Sequence, residues 1–256
     1  MAKKKLKGIP PGIKLKRGMV LAAGLGKRMR PITLNTPKPL IEVAGRNLLD
    51  RALDRMEEVA MEEAVVNIHY LGDRIERHLT KNRDNPKITI SDETDELLET
   101  GGGVKKALPH FKNEPFLVMN SDAMTLNGPE MALDRLAEQW DPKKMDALLL
   151  VSFTVDAYGY EGRGDFSIDP AGKVTRRSEG QVAPYLFTGT QILKPDVFED
   201  TPDGPFSLNL IYDRLIEQER LYAVVHDGEW FHVGTPDGLD QAEAFMSQRY
   251  AGVQRR

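Results

Sequence analysis

Two features of this 256-residue sequence predict a three-layer, Rossmann-like α/β fold with a mixed, largely parallel sheet and a small β-rich lobe. Over the first 140 residues, short apolar runs alternate with segments of helical spacing, as in successive strand–helix units. Beyond that point the strand-like runs lie closer together, several joined by turn residues, and only two further helices follow. At 40% hydrophobic residues the chain can bury a sizeable core.

Residues 1–17 (MAKKKLKGIPPGIKLKR) hold seven Lys or Arg and no acid, and read as a basic disordered tail. Residues 18–250 read as one domain with halves at 18–140 and 141–250. The apolar run 19–23 (MVLAA) stops at Gly24, as a buried parallel strand does. Leu48, Leu49, Ala52, Leu53, Met56 and Val59 then follow helical spacing. Strands follow at 63–67 (EAVVN), 87–91 (KITIS) and 116–120 (FLVMN), with helices at 73–81, after the glycines at 101–103, and at 129–139. The second half reads as strands at 147–153, 165–168, 173–176, 185–193, 222–225 and 230–233, with helices at 208–219 and 237–248.

Composition narrows the function classes. Removing the seven basic residues of the tail leaves 28 Lys and Arg against 39 acids, so the body carries about −11. A folded nucleic-acid binder carries the opposite imbalance. No apolar run approaches the roughly 20 residues that span a bilayer, and none follows the basic start as a secretory signal requires. The absence of cysteine excludes disulfides, thiol nucleophiles and thiolate metal sites, and fits a cytoplasmic protein.

The most informative segment is 21–40, LAAGLGKRMRPITLNTPKPL. A strand runs through Ala22 and Ala23 into Gly24-Leu25-Gly26, where glycines let bare N–H groups approach an anion. Arg28 and Lys38 add full charges, and Pro37 and Pro39 stiffen the backbone presenting Lys38. The dinucleotide fingerprint does not fit, because Met29 stands where a third glycine is needed; nor is there a Gly-Lys-Ser/Thr phosphate loop.

Read whole, this segment resembles the signature of the sugar-phosphate nucleotidyltransferases, Gly-x-Gly-x-Arg-Met/Leu-x-Pro-x-Thr followed by Pro-Lys-Pro-Leu. The resemblance spans roughly 18–247. It implies an enzyme that joins a nucleoside triphosphate to a sugar 1-phosphate and releases pyrophosphate. It makes 18–140 the nucleotide-binding half and 141–250 the sugar-binding half, assigns phosphate contacts to Gly24, Gly26, Arg28 and Lys38, and puts Ala22 and Ala23 among the nucleotide-binding residues. By themselves the residues 98–104 (LETGGGV) suit either a capping turn or a ligand site; the resemblance assigns Glu99, Thr100 and Gly101 to the base, with Glu93 a weaker candidate.

Residues 119–122 (MNSD) close a buried strand with polar groups where open α/β sheets bind ligands. Asp122 offers hard oxygen to Mg²⁺, and the resemblance makes it a metal ligand, with Asn120 beside the nucleotide. Relatives carry Trp-x-Asp-x-Gly-Thr later in the chain, whereas residues 230–235 here are WFHVGT. His232 therefore stands at the second metal position. Three readings stay open: direct ligation, a hydrogen bond to metal-bound water or phosphate, or a structural residue with activity weakened or lost. Imidazole suits Mn²⁺ and other softer divalent ions better than Mg²⁺.

On the sugar side, the resemblance points to Gly164 and Asp165 within GRGDF (162–166) and to Thr188 and Gly189 within FTG (187–189). GRGDF and LETGGGV look most like the N-acetylmuramate-1-phosphate uridylyltransferase version, which implies UTP and a carboxylate-bearing sugar in cell-wall recycling. Arg163, Arg176 and Arg177 are candidates for that carboxylate. The alternatives are a mannose-1-phosphate guanylyltransferase, a glucose-1-phosphate uridylyl- or thymidylyltransferase, and a non-catalytic nucleotide-sugar-binding homologue. No nucleic-acid or membrane partner is expected, and the short C-terminus favours a monomer.

Overall fold

The computed structural model describes residues 12–82 and 85–251. The first half comprises β1 (Arg17–Leu21), the small hairpin β2 (Glu42–Val43) and β3 (Arg46–Asn47), α1 (Leu48–Glu58), β4 (Glu63–Ile68), α2 (Gly72–Asn82), β5 (Lys87–Asp92), α3 (Glu99–Ala107), β6 (Phe116–Asn120), β7 (Ala123–Thr125) and α4 (Ala132–Gln139). The second half adds β8 (Ala147–Phe153), β9 (Phe166–Ile168), β10 (Val174–Arg176), β11 (Tyr185–Leu193), α5 (Asn209–Glu217), β12 (Leu221–Val225), β13 (Trp230–His232) and α6 (Pro236–Ala251).

The main sheet runs β5-β4-β1-β6-β11-β8-β12, and only β11 opposes its neighbours in this row. The mixed, largely parallel sheet is thus present. It passes through both halves, because β11 inserts between β6 and β8. The β9–β10 ribbon continues from β11 at Tyr185↔Phe166, past the end of β6. A separate two-stranded ribbon, β13–β7, stands outside the main sheet, although the sequence alone does not distinguish it from a sheet strand.

Helices cover both faces, which makes the three layers. Leu49, Leu53 and Met56 of α1, Ile75 and Leu79 of α2, and Leu133 and Leu136 of α4 pack on one face. Val104 and Ala107 of α3 and Ile211, Tyr212 and Leu215 of α5 pack on the other. A third cluster joins Met29, which follows the glycine loop, to Val43, Met124, Phe231, Val233 and Met246. Helix α1 starts where it does because the Asn47 side chain accepts the Asp50 N–H at 2.7 Å, a side-chain cap that replaces a missing helical partner.

The 1–17 tail needs correction at its inner end. Residues 1–11 lie outside the described residues, but the Ile13 N–H donates to the Ala137 carbonyl at 2.8 Å and Leu15 is buried. Arg17 opens β1 and pairs with Glu63 at 3.0 Å and Glu114 at 2.7 Å. The two apolar residues among lysines are core contacts, and the basic composition masked them.

Candidate functional site

A cleft of about 440 Å³ opens at the carboxyl ends of β1, β4 and β6, where a parallel sheet presents its strand-to-helix loops. Of the residues singled out from sequence, Ala23, Gly24, Gly26, Arg28, Lys38, Glu99, Thr100, Asn120 and Asp122 line it together.

The glycine loop is held from beneath and left open above. Gly26 has φ +60°, and a Cβ there would lie 2.9 Å from Thr33 Cγ2. The Thr33 hydroxyl donates to the Gly26 carbonyl at 2.7 Å, and Met29 is fully buried as the anchor of the turn that follows. A Cβ at Gly24 would meet nothing within 4 Å, so its backbone faces open space. Among the described residues, no protein acceptor takes the N–H groups of Gly24, Leu25 or Gly26. Unpaired N–H groups in a concave turn suit an anion. The Ala22 N–H is already spent on Asn67 Oδ1 at 2.7 Å, and Ala22 itself does not line the cleft.

Lys38 begins a short 3₁₀ turn between Pro37 and Pro39 and is only 9% exposed. Its Nζ lies 3.0 Å from Asp122 Oδ2. Asp122 follows β6 and is fixed by its backbone: its carbonyl accepts the Val233 N–H at 3.0 Å, while Ser121 beside it donates through its hydroxyl to the Leu21 carbonyl at 2.7 Å. Burial pushes the Asp122 carboxyl up, but Lys38, His232 and Arg28 outweigh it and hold the pKa below the ordinary value. The site therefore presents an ionised carboxylate beside two cations.

His232 is paired with Ala123 across the β13–β7 ribbon and is not itself in the cleft lining, although Gly234 two residues on is. Burial, with Lys38 and Arg28, lowers its pKa from the ordinary imidazole value against the opposing pull of Asp122. Its ring occupies the space where Gly234 would carry a side chain: a Cβ there would fall 2.0 Å from Nε2. Trp230 stacks at 6.0 Å and donates its Nε1–H to the Thr188 carbonyl at 2.9 Å. Among the described residues, no three His, Asp or Glu side chains cluster as a complete metal cage.

Several sequence-derived candidates sit elsewhere. The Gly101 N–H donates to the Phe206 carbonyl at 2.8 Å, and a Cβ at Gly101 would lie 2.4 Å from the Phe206 ring. That glycine serves close packing and does not line the cleft, unlike Glu99 and Thr100 beside it. Gly164, Asp165, Thr188 and Gly189 are likewise outside the cleft lining. The Gly164 N–H donates to the Tyr160 hydroxyl at 3.1 Å, Asp165 Oδ2 accepts the Phe187 N–H at 2.8 Å, and the Thr188 hydroxyl donates to the Leu150 carbonyl at 2.8 Å. These bonds shape the lobe and its bulge in β11. Gly189, at φ +89°, lets Asn120 pack across it, since a Cβ would lie 2.8 Å from Asn120 Cβ. Arg176 pairs with Asp213 at 2.6 Å, and Arg177 donates to the carbonyls of Gly164 and Gln181; Arg163 and Arg176 are both exposed, and among the described residues Arg163 is the one of the three whose side chain is not already engaged.

Residues that sequence reasoning missed include Asn67, Leu97, Ser121 and Gly234 in the lining. Asn67 carried a usable signal: it ends the apolar run EAVVN as Asn120 ends FLVMN, a polar group at the carboxyl end of a buried strand.

Residues 17–249 match the family described as Nucleotidyl transferase. The chain is 42% identical to an N-acetylmuramate alpha-1-phosphate uridylyltransferase of Caulobacter vibrioides, over 91% of this chain and 98% of that protein. It is 34% identical to the enzyme of the same name from Neisseria meningitidis serogroup B, over 89% and 97% of the two chains. The crystal structure of a UDP-glucose pyrophosphorylase complexed with UDP-glucose superposes with a TM-score of 0.73 at 16% identity, covering 92% of this chain and 99% of that one, a likeness of fold. With a family match over almost its whole length and relatives of this identity, the chain belongs to the nucleotidyl transferase family.

Proposed function

We propose that this enzyme transfers UMP from UTP to N-acetylmuramate 1-phosphate, giving the UDP-sugar and pyrophosphate, as in cytoplasmic recycling of cell-wall sugars. The observation that carries this reading is the Lys38–Asp122 pair facing an unpaired glycine loop in the cleft. The Caulobacter and Neisseria relatives, both named as uridylyltransferases for that sugar phosphate, support the choice of substrates.

The sugar phosphate is already ionised, so no general base is needed. One of its oxygens attacks the α-phosphorus in line, forming a new P–O bond as the bond to the β-phosphate breaks and pyrophosphate departs. Catalysis then consists of positioning and charge stabilisation. The Gly24–Gly26 loop and Arg28 hold the departing phosphates, Lys38 exchanges part of its bond with Asp122 for the reacting phosphoryl oxygens, and Glu99 and Thr100 lie along the path of the base. Gly164, Asp165, Thr188 and Gly189 support the sugar end, with Arg163 available for the lactyl carboxylate.

The donor set fits a divalent cation that completes its shell with substrate oxygens. Asp122 would supply a carboxylate and His232, whose ring packs on Gly234 at the border of the cleft, an imidazole nitrogen; Mg²⁺ typically takes one or two carboxylates plus phosphates. Such a cation, Mg²⁺ or the softer Mn²⁺, would neutralise charge on the triphosphate. Among the described residues no helix is long and apolar enough to cross a membrane.

Pyrophosphate release from five nucleoside triphosphates, each paired with N-acetylmuramate, N-acetylglucosamine, glucose and mannose 1-phosphates, tests the reading. UTP with N-acetylmuramate 1-phosphate should give the highest kcat/KM. A higher value for GTP with mannose 1-phosphate, or for either triphosphate used with glucose 1-phosphate, would replace the substrate assignment. Nucleotide binding without pyrophosphate release for any pair or cation would identify a non-catalytic binder.

A further inference from the structure

One buried polar cluster beside the cleft has no part in the chemistry above. Glu93 is 1% exposed and Asn67 2%, and both lie just beyond or at the carboxyl ends of adjacent strands β5 and β4. Asn67 Nδ2 donates to Glu93 Oε1 at 2.7 Å, Asn67 Oδ1 accepts the Ala22 N–H at 2.7 Å, and Glu93 Oε2 accepts the Leu98 N–H at 3.1 Å. One chain of bonds therefore links the residue that leads into the glycine loop with the residue that precedes Glu99 and Thr100. Gly103 is packed directly against it: a Cβ there would lie 2.7 Å from Glu93 Oε1 and 3.0 Å from Asn67 Nδ2.

A carboxylate this deep is costly to bury without partners, and a fold can do without it by placing an apolar residue there. Its two oxygens address two separate segments, and both of those segments border the same cleft. We infer that Glu93 and Asn67 are positioning residues for the nucleoside triphosphate: with their side-chain polar atoms spent on each other and on the backbone, they set the distance between the glycine loop and the start of α3. Preorganising both walls removes an ordering cost that would otherwise weaken triphosphate binding. The sugar-phosphate end, built on β11 and the lobe, shares none of these bonds.

This inference rests on the triphosphate reading of the cleft, and the experiment separates the two. Wild-type pyrophosphate release comes first, since its absence with every substrate pair would sink the function and leave nothing for the strut to position. In an active enzyme, Glu93→Gln sets an amide donor against either the Asn67 amide or the Leu98 N–H. Asn67→Asp sets two carboxylates face to face. Each should raise the KM for triphosphate by about tenfold while the KM for sugar 1-phosphate stays within about twofold. The double variant Asn67→Asp/Glu93→Gln reverses the polarity of the central bond and restores all three contacts, because the glutamine now donates to the aspartate and still accepts from Leu98. It should recover triphosphate affinity to within about threefold of wild type. Should a single variant fail to fold, Gly103→Ala presses on the same pair from outside and should reproduce the selective loss. Equal changes in both KM values, or a double variant no better than the worse single, would overturn the inference.

Discussion

Replacing Lys38 with alanine removes a cation that lies 3.0 Å from Asp122 Oδ2 and is itself 9% exposed. At that separation two unit charges attract by roughly 5 kcal/mol at an effective dielectric constant of about 20. The Asp122 side chain is 32% exposed, so solvent screens much of this, and the folded state should lose only about 1 kcal/mol. The larger effect falls on turnover, since losing one preorganised charge contact at the reacting group costs about 10²–10³-fold in kcat. A second signature follows from the electrostatics. Without Lys38, burial still pushes the Asp122 carboxyl up while its strongest opposing cation is gone, so the carboxyl titrates at higher pH. Activity that needs the carboxylate is lost as pH falls through that pKa, and the acidic limb of kcat/KM moves upward. Pyrophosphate release measured across pH, with Lys38→Arg alongside to retain charge, reads both effects. Turnover within about twofold of wild type and an unmoved acidic limb would refute the role given to Lys38.

Asp146 is held at a pKa of about 2 by hydrogen bonds from Arg220 and Lys194 that outweigh its burial. Because the folded pKa is depressed, its contribution is complete above the ordinary value of 3.8 and is lost as pH falls toward 2. Asp146→Asn should therefore cost about 2 kcal/mol in urea unfolding at neutral pH, and this difference should vanish in strong acid. Gly189→Ala forces a side chain at φ +89° and a Cβ 2.8 Å from Asn120 Cβ. It should cost about 1–3 kcal/mol and raise the KM for sugar 1-phosphate, read by denaturation and steady-state kinetics. His232→Asp should raise the rate with Mg²⁺ relative to Mn²⁺; a sharp fall in both would show that the imidazole is suited to the site. Removing residues 1–11 should leave turnover unchanged, whereas removal through Arg17 also takes away buried Leu15 and the Glu63 and Glu114 pairs, and should lower Tm.

The strands were legible wherever burial on both faces makes a continuous apolar run. Residues 116–120 and 147–153 match β6 and β8 residue for residue. The shape of the glycine loop was legible because its demands are local: Gly26 takes positive φ, and Lys38 sits on backbone held between two prolines. Asp122 was legible from its place after a buried strand. By contrast, three consecutive glycines at 101–103 suggested an open helix mouth, yet Gly101 packs on Phe206, Gly102 on Gly204 and Gly103 on Glu93. A glycine that approaches a ligand and one that approaches another part of the chain look alike until the neighbour is known.

Sequence by itself determined the alternating α/β class, the glycine loop with its two cations and the aspartate that closes β6, because each follows from chemistry within a few adjacent residues. Tertiary structure alone decided that β11 inserts in reverse between β6 and β8, that Lys38 meets Asp122, and that Asn67 and Glu93 bridge two walls of the cleft. These contacts join positions from 26 to 84 residues apart for the paired side chains, and their geometry depends on how sheet, loops and helices pack at once.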